Sequence, residues 1–351
     1  MEIRTVAILT TLSLTCGICV SLQATCNATL GARLGYPTLA TLISFLIGWI
    51  VLCILVVVEA RCLPLSGRFL SWKQRPAWPQ LIPGVLGVLF VTATVYLPIF
   101  LGFGLFYTFL VVGQMAAAVV ADVNGWGVAG GQKIPLKWTR GLALFLAVVG
   151  CLLSVMDSLH VPPSQGPSPF EYTLLYCVIA LAIGSTSTTQ SLLNRQAAAL
   201  LPSKFQACWW SFSTGLVAAG VVFCVHVAIS GGGSALERTI HGASLRWELF
   251  TGGPLGIVFV AGAIFIPEIL GSSAHTVAVI SGNLLSSALT DHFGAFDFKP
   301  RLLTPTRIAG VLLVIFSAAL MQWPSECRRR PLEPQPLVDL KPLTESSPTS
   351  S

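Results

Sequence analysis

The sequence predicts an all-α integral membrane protein of ten transmembrane helices, arranged as two inverted five-helix repeats. Apolar residues make up 54% of the 351 residues, charged residues make up 10%, and the mean hydropathy is +0.79. About 25% of the residues of a soluble domain are charged, so this chain lacks the polar groups to cover a surface in water. In addition, ten apolar segments approach the length of a membrane span, and one set of residues recurs in both halves.

The ten predicted spans fall into two groups of five. A helix crosses the bilayer with about 20 mainly apolar residues, and this criterion selects residues 6–30, 38–58, 81–100, 103–121, 140–157, 172–193, 206–229, 250–268, 272–290 and 306–323. The first five spans define a repeat over residues 1–160, and the last five define a repeat over residues 161–323. Residues 324–351 contain three consecutive arginines and a stretch rich in Pro, Ser and Thr, which predicts a disordered cytoplasmic tail.

The first span also has features of a cleaved signal peptide, because Arg4 precedes its apolar run and small residues lie near Ala24. The sixth span repeats its Gly, Gln and Asn pattern in the middle of the chain, where no signal peptide operates. We therefore expect the first span to be retained.

Two connections between predicted spans are very short. Pro98 is followed by Gly102 at the end of the third span, and Pro267 is followed by Gly271 at the end of the eighth. Proline followed by glycine four residues later is typical of a helix that ends in a tight turn. The sequence therefore predicts a helical hairpin at the same place in each half.

The repeat extends over most of the chain. Six residues recur 167 positions later: Gly17, Gln23, Asn27, Ser44, Phe45 and Gly48. Seven more recur 169 positions later: Gly84, Gly87, Pro98, Gly102, Gly113, Asp122 and Gly125. Five spans per repeat is an odd number, so the second repeat runs through the membrane in the opposite direction to the first. Such inverted repeats are typical of secondary transporters.

Basic residues predict the orientation. With the N-terminus in the cytoplasm, fourteen of the 20 Lys and Arg residues fall on the cytoplasmic side. Cytoplasmic loops of membrane proteins are enriched in Lys and Arg. We therefore expect a multi-pass protein with both termini in the cytoplasm, in a plasma or organelle membrane that the sequence does not distinguish.

Two amides recur at equivalent positions of the first and sixth spans. Gln23 and Asn27 share one face of a helix, and so do Gln190 and Asn194. A side-chain amide in lipid is unfavourable unless it is paired or faces water. These stripes predict either a substrate pathway or hydrogen bonds that hold the helices together. Because the amides lie near the ends of the predicted spans, vestibules are an alternative to a midplane site.

The fourth and ninth spans carry small residues at every fourth position, beginning at Gly113 and Gly282. This spacing is typical of helices that pack with their backbones close together. Gln114 and Asn283 follow these glycines directly. We expect each amide to contact either the partner helix or a substrate.

Acidic residues give candidates for coupling or gating. Asp122 and Asp291 end the same two spans, and each is followed by a glycine three residues later, which suits a helix C-cap. Their expected partners are Arg140 and Arg307 at the start of the next spans, as structural ion pairs in preference to proton carriers. Glu268 has no acidic counterpart in the first half and is a further candidate for proton coupling.

No motif indicates an enzyme. The chain has no glycine-rich phosphate loop, no GxSxG, no HExxH and no pair of catalytic carboxylates. Cys16 and Cys19 have CxxC spacing but lie within an apolar run, where cysteine is usually a small hydrophobe. His226 and His275 are single histidines on apolar helices, which we expect to be locally hydrogen-bonded. We expect no cofactor, no metal and no nucleic-acid partner.

Several short motifs occur in order and twice. The first half contains Gly-x5-Gln-x3-Asn-Ala-x-Leu-Gly from Gly17, Ser-Phe-x-x-Gly from Ser44, Pro-x-x-x-Gly from Pro98, and Gly-Gln followed by Asp-x-x-Gly from Gly113. Over about residues 6–323 the chain resembles the YdcZ-like branch of the drug/metabolite transporter (DMT) superfamily, in a fused two-repeat form. The resemblance implies a ten-helix fold and an exporter, without naming a substrate.

Together these observations predict a multipass secondary transporter that exports a small organic metabolite or drug-like solute by alternating access. The predicted substrate path is lined by Gln23, Asn27, Gln190, Asn194, Gln114 and Asn283. The scarcity of acidic residues in the spans argues against a strongly cationic substrate. A membrane scaffold or sensor that keeps the fold without transporting is the main alternative, and a passive channel is a third. Because both halves are present in one chain, the sequence is compatible with a monomer or a homodimer in the lipid bilayer.

Overall fold

The structure is a computed structural model, and it describes residues 3–62, 71–126, 133, 135–158, 170–230 and 245–321. The predicted cytoplasmic tail, residues 324–351, lies outside the described residues. The described chain forms helices α1 to α10: Ile3–Leu34, Pro37–Cys62, Pro83–Leu101, Phe103–Asn124, Trp138–Ser158, Phe170–Leu200, Lys204–Ile229, Gly252–Phe265, Ser272–Phe293 and Pro305–Met321. A short helical turn, Pro267–Leu270, continues α8, and 3-10 turns lie at Trp78–Leu81, Trp247–Thr251 and Ala295–Asp297.

Within the described residues, seven helical segments are long and apolar enough to cross a membrane: Ile3–Leu34, Pro37–Cys62, Pro83–Leu101, Phe103–Asn124, Tyr172–Leu200, Lys204–Ile229 and Trp247–Leu270. Two further apolar helical segments, Trp138–Ser154 and Pro305–Met321, are shorter. Helix α9 has 22 residues and carries buried Ser, Thr, His and Asn side chains, and it is not one of these apolar segments. It packs along α1, and such shielding from lipid lets a helix carry polar residues. The structure is thus an all-helical membrane fold.

Several helices are longer than the sequence predicts, and two of these extensions change the depth of candidate residues. Helix α1 continues to Leu34 and α6 continues to Leu200, well beyond the predicted ends at 30 and 193. The extensions contain alanine, arginine and leucine, which favour helix. Gln23 and Gln190 therefore lie ten or more residues before the ends of their helices.

The two repeats interlock and do not form separate bodies. Helices of the first repeat pack extensively on helices of the second: α1 on α9, α4 on α6, α2 on α7 and α5 on α10. The pairing of α1 with α9 is equivalent, under the repeat, to the pairing of α6 with α4. The interface between the repeats thus follows the same pseudo-twofold symmetry as the sequence.

Contacts at the helix ends show the inversion. Ser13 near the start of α1 hydrogen-bonds His275 near the start of α9, with 2.9 Å between Oγ and Nδ1. The start of α6 lies at the opposite end of the bundle, because the ring of Tyr176 stacks on Phe100 at the end of α3. We call the two ends of the bundle the Asp122 end and the Asp291 end, after the aspartates at the ends of α4 and α9.

Glycines allow the helices of the two repeats to touch through their backbones. A Cβ atom at Gly113 would overlap the carbonyl oxygen of Leu181, and one at Gly282 would overlap that of Leu14. Equivalent overlaps would occur for Gly17 against Val279 and for Gly184 against Leu110. The close packing predicted from the small residues of the fourth and ninth spans is confirmed.

Both predicted hairpins are present. Gly102 and Gly271 have φ angles of +81° and +94°, which favour glycine. Each donates its N–H to the carbonyl of the proline four residues before it, at 2.8 Å for Gly102 and 3.0 Å for Gly271. Gly125 and Gly294, the predicted C-caps, are left-handed, as a helix C-cap requires.

Candidate functional site

A cavity lies between the two repeats, where α1, α2 and α3 meet α6, α7 and α8. Its space is about 410 Å³, including the solvent at its opening. The described residues that line it are Gln23, Ser44, Phe45, Gly87, Phe90, Val91, Gln190, Ser211, Phe212, Gly256, Phe259 and Val260. These twelve residues are six repeat-equivalent pairs, each made of two identical residues.

This pairing fixes where the cavity lies. Equivalent residues of inverted repeats lie at opposite depths, equally far from the centre of the bundle. A cavity lined by both members of all six pairs is therefore centred on the pseudo-twofold axis, midway between the Asp122 and Asp291 ends. Substrate sites of transporters with inverted repeats lie at this position.

The amides of Gln23 and Gln190 face the cavity without a protein partner. The two residues are 7% and 8% exposed, and neither amide hydrogen-bonds another described residue. Each amide packs on a glycine of the opposite repeat. A Cβ at Gly256 would lie 2.6 Å from Nε2 of Gln23, and one at Gly87 would lie 2.5 Å from Nε2 of Gln190. The two glycines leave room for the two amides.

Asn27 and Asn194 lie one helical turn from these glutamines and are buried. Nδ2 of Asn27 donates to Oγ of Ser44, which lines the cavity, at 3.2 Å. Oδ1 of Asn194 is buried and has no hydrogen-bond partner among the described residues. Both asparagines thus lie behind the cavity wall, and of the two only Asn27 hydrogen-bonds a residue of that wall in the described part of the chain.

Aromatic rings form much of the wall. Phe45 and Phe212 meet across the axis with ring centroids 5.4 Å apart, and Phe90 and Phe259 stack at 6.4 Å with nearly parallel planes. A Cβ at Gly48 would lie against the ring of Phe212, and one at Gly215 would lie against the ring of Phe45. The recurring Ser-Phe-x-x-Gly motif therefore places each ring on a glycine of the other repeat.

Gln114 and Asn283 lie in helix interfaces outside the described cavity wall. Nε2 of Gln114 donates to Oγ of Ser187 across the α4–α6 contact, at 3.3 Å. Oδ1 of Asn283 is buried without a partner in the described part of the chain, where α9 packs on α1. Both amides thus lie at contacts between helices of the two repeats.

The predicted ion pairs of Asp122 and Asp291 are confirmed. Nη1 of Arg140 lies 2.8 Å from Oδ2 of Asp122, and Arg307 pairs with Asp291. Asp291 also accepts the N–H groups of Phe103 and Gly104, both at 2.8 Å. Its carboxylate therefore caps the N-terminus of α4, where the helix dipole favours a negative charge.

Arg301 adds a second link at the Asp291 end. Its guanidinium donates to the carbonyls of Leu101 and Phe100, which end α3. Burial lowers the pKa of Arg301, Asp291 opposes this effect, and Arg307 adds to it. The loop before α10 is thus joined to the hairpin between α3 and α4.

The other polar candidates lie away from the cavity. Glu268 pairs with Lys204 at the Asp122 end. His275 bonds Ser13, and Nδ1 of His226 lies 2.7 Å from Oγ1 of Thr38. The expectation that both histidines are locally satisfied is confirmed.

Sequence reasoning placed Gln23 and Gln190 at a candidate site but missed the rings and serines of the wall. Phe90 and Val91 recur as Phe259 and Val260 at the 169-residue offset of their neighbours Gly87 and Gly256. An identical pair of large apolar residues in the two halves was the signal that could have found them.

The chain was also compared with known proteins. The family model described as "Putative inner membrane exporter, YdcZ" matches it twice, over residues 8–153 and residues 175–320. A comparison with curated proteins finds no match. The two matched segments cover most of the chain and coincide with the two repeats of the fold, and the family is one of membrane transporters and not of enzymes. The chain therefore belongs to the YdcZ family of the drug/metabolite transporters.

Proposed function

We propose that this protein is a secondary transporter of ten transmembrane helices that exports a small organic solute by alternating access. The central cavity is the substrate site, and Gln23 and Gln190 contact the substrate directly. Asn27 and Asn194 support the wall behind them. In this proposal Gln114 and Asn283 act through helix packing. The ion pairs of Asp122 and Asp291 help to close the two ends of the bundle.

One observation carries the proposal, namely that the cavity is lined by six identical pairs from two inverted repeats. If the two repeats exchange their conformations, the bundle opens at the other end while the cavity keeps the same wall. A structural scaffold has no need for identical polar residues on both sides of an internal space. This symmetry therefore favours transport over the scaffold or sensor.

We place both termini in the cytoplasm, because the predicted cytoplasmic segments carry most of the Lys and Arg. Export is the direction given by the description of the family. A single chain holds both halves of the cavity, so a monomer suffices for transport.

The test is counterflow in proteoliposomes. Ligands are first found by the rise they cause in the melting temperature of purified protein. Each ligand is then loaded unlabelled, and uptake of the labelled compound is followed. We expect labelled compound to accumulate transiently above its external concentration, and accumulation to be lost in the double variant Gln23→Leu/Gln190→Leu.

The control is Gln74→Leu, the same substitution at an exposed position outside the cavity wall, which should retain counterflow. Equilibration without accumulation would indicate a channel. Ligands that bind the folded protein but never cross the membrane would indicate a scaffold or sensor. Unchanged counterflow in the double variant would disprove the assigned site.

A further inference from the structure

The cavity wall has a consistent chemistry that constrains what it can bind. None of the described residues that line it is charged. The described ion pairs of Asp122, Asp291 and Glu268 lie at the ends of the bundle. A charged group moved from water into such a site without a counter-charge is strongly unfavourable. The wall therefore selects against anions and cations alike.

The two glutamines define the polar part of the ligand. A carboxamide offers two donor hydrogens and one acceptor oxygen. Gln23 and Gln190 are more than nine-tenths buried, and neither amide has a partner among the described residues. A buried amide without partners is costly, so a group that both donates and accepts is favoured there. Another carboxamide or a lactam meets this requirement.

The phenylalanines define the apolar part. Phe45, Phe212, Phe90 and Phe259 line one small space, and their rings contact one another in two pairs. Aromatic rings gain most from other flat rings in offset-stacked or edge-to-face contact. The serines and valines of the wall are too small to make such contacts.

We propose that the cavity binds an uncharged solute that joins a flat, preferably aromatic, ring to a carboxamide-like group. The inference deepens the proposed function by naming its substrate class, but binding itself does not require transport.

The pseudo-twofold symmetry adds a quantitative expectation. A ligand with a single carboxamide can pair with Gln23 in one orientation or with Gln190 in the reversed one. Loss of one glutamine removes one of two similar poses, so each single Leu variant should weaken binding only about two-fold. Loss of both removes the hydrogen bonds in either pose, which corresponds to about ten-fold or more.

The experiment uses four probes of nearly the same size: benzamide, benzoate, benzamidine and cyclohexanecarboxamide. The first three differ in charge on one shape, and the fourth keeps the amide but lacks an aromatic face. Binding of labelled benzamide to the purified full chain is measured by equilibrium dialysis, and the others compete. We expect saturable benzamide binding, at least about ten-fold weaker competition by benzoate and benzamidine, and weaker competition by cyclohexanecarboxamide.

Two further variants keep the test valid if the Leu variants unfold. Gly87→Ala and Gly256→Ala each place a methyl group against one glutamine amide, and should weaken benzamide binding without touching either amide chemically. Gln74→Leu is again the control. Tighter binding of either charged probe, no saturable binding by folded protein, or unchanged affinity in the double Leu variant would overturn the inference.

Failure of this inference is distinguishable from failure of the proposed function. Benzamide binding without counterflow of any ligand would support the proposed ligand class and contradict the proposed transport function. Counterflow of a charged ligand, with no preference for benzamide, would support the proposed transport function and contradict the proposed ligand class.

Discussion

The two ends of the bundle are built from the same motif but differ in how tightly they are closed. At the Asp291 end, the side chains of Asp291 and Arg307 are 4% and 5% exposed. At the Asp122 end, the equivalent Asp122 and Arg140 are 28% and 12% exposed. Both repeats carry the same Asp and Arg pair, so the difference in exposure arises from the contacts around each pair.

The contacts around the two pairs show where the difference arises. Asp291 caps the start of α4, and Arg301 holds the last carbonyls of α3. The matching position to Phe103 and Gly104 in the second half is Ser272–Ser273, whose side chains lie outside the described residues. The Asp291 end is thus tied to the opposite repeat through backbone groups of α3 and α4.

The largest expected effect is the loss of the buried ion pair. Asp291→Ala leaves Arg307 buried without its partner and removes the cap of α4, so we expect it to destabilise the protein by about 3–5 kcal/mol. Asp122→Ala acts on a more exposed pair and should cost less, about 1–3 kcal/mol. Thermal unfolding of both variants in detergent measures the difference. Equal losses would mean that the two ends are closed to the same degree.

The next effect concerns the backbone contacts between the repeats. Gly113→Ala places a methyl group on the carbonyl of Leu181, and overpacking of this kind costs about 1–3 kcal/mol. Gly220→Ala, in a helix position with nothing within 4 Å of the added atom, should be neutral or slightly stabilising because alanine favours helix. The same unfolding assay compares the two. A harmless Gly113→Ala would show that the repeats separate there without cost.

These contacts also show what the sequence could and could not predict. The helices, hairpins and glycine contacts follow from local patterns, because hydropathy, proline and glycine act on their own neighbourhood. The different exposures of Asp122 and Asp291 do not follow from local patterns, because residues far away in the chain bury the two identical motifs to different degrees. Gln23 could be assigned to a polar stripe from the sequence. The glycine that its amide packs on, Gly256, belongs to the other repeat, so this contact is visible only in the fold.

A smaller difference is expected between the two serines of the cavity wall. Ser44→Ala removes the acceptor of Asn27 and leaves a buried donor unsatisfied, which costs about 1–3 kcal/mol. Ser211 is its repeat equivalent, but no hydrogen bond joins its hydroxyl to another described side chain, so Ser211→Ala should cost less. Thermal unfolding of the two variants in detergent measures this difference in stability. A larger loss for Ser211→Ala would reverse the assignment of partners in the two halves.

The smallest effect is expected at Glu268, whose side chain is 62% exposed and paired with Lys204 at the Asp122 end. An exposed ion pair contributes no more than about 1 kcal/mol, so Glu268→Gln should barely change the melting temperature. Lys204→Met, which removes the other partner, should behave in the same way.

The Glu268→Gln variant also tests proton coupling, because Glu268 has no equivalent in the first half and is a candidate for carrying the proton. If transport by the Glu268→Gln variant still depends on pH, the coupling proton binds elsewhere. If that dependence disappears while the melting temperature is unchanged, the exposed carboxylate carries the proton, and the two halves differ in chemistry as well as in closure.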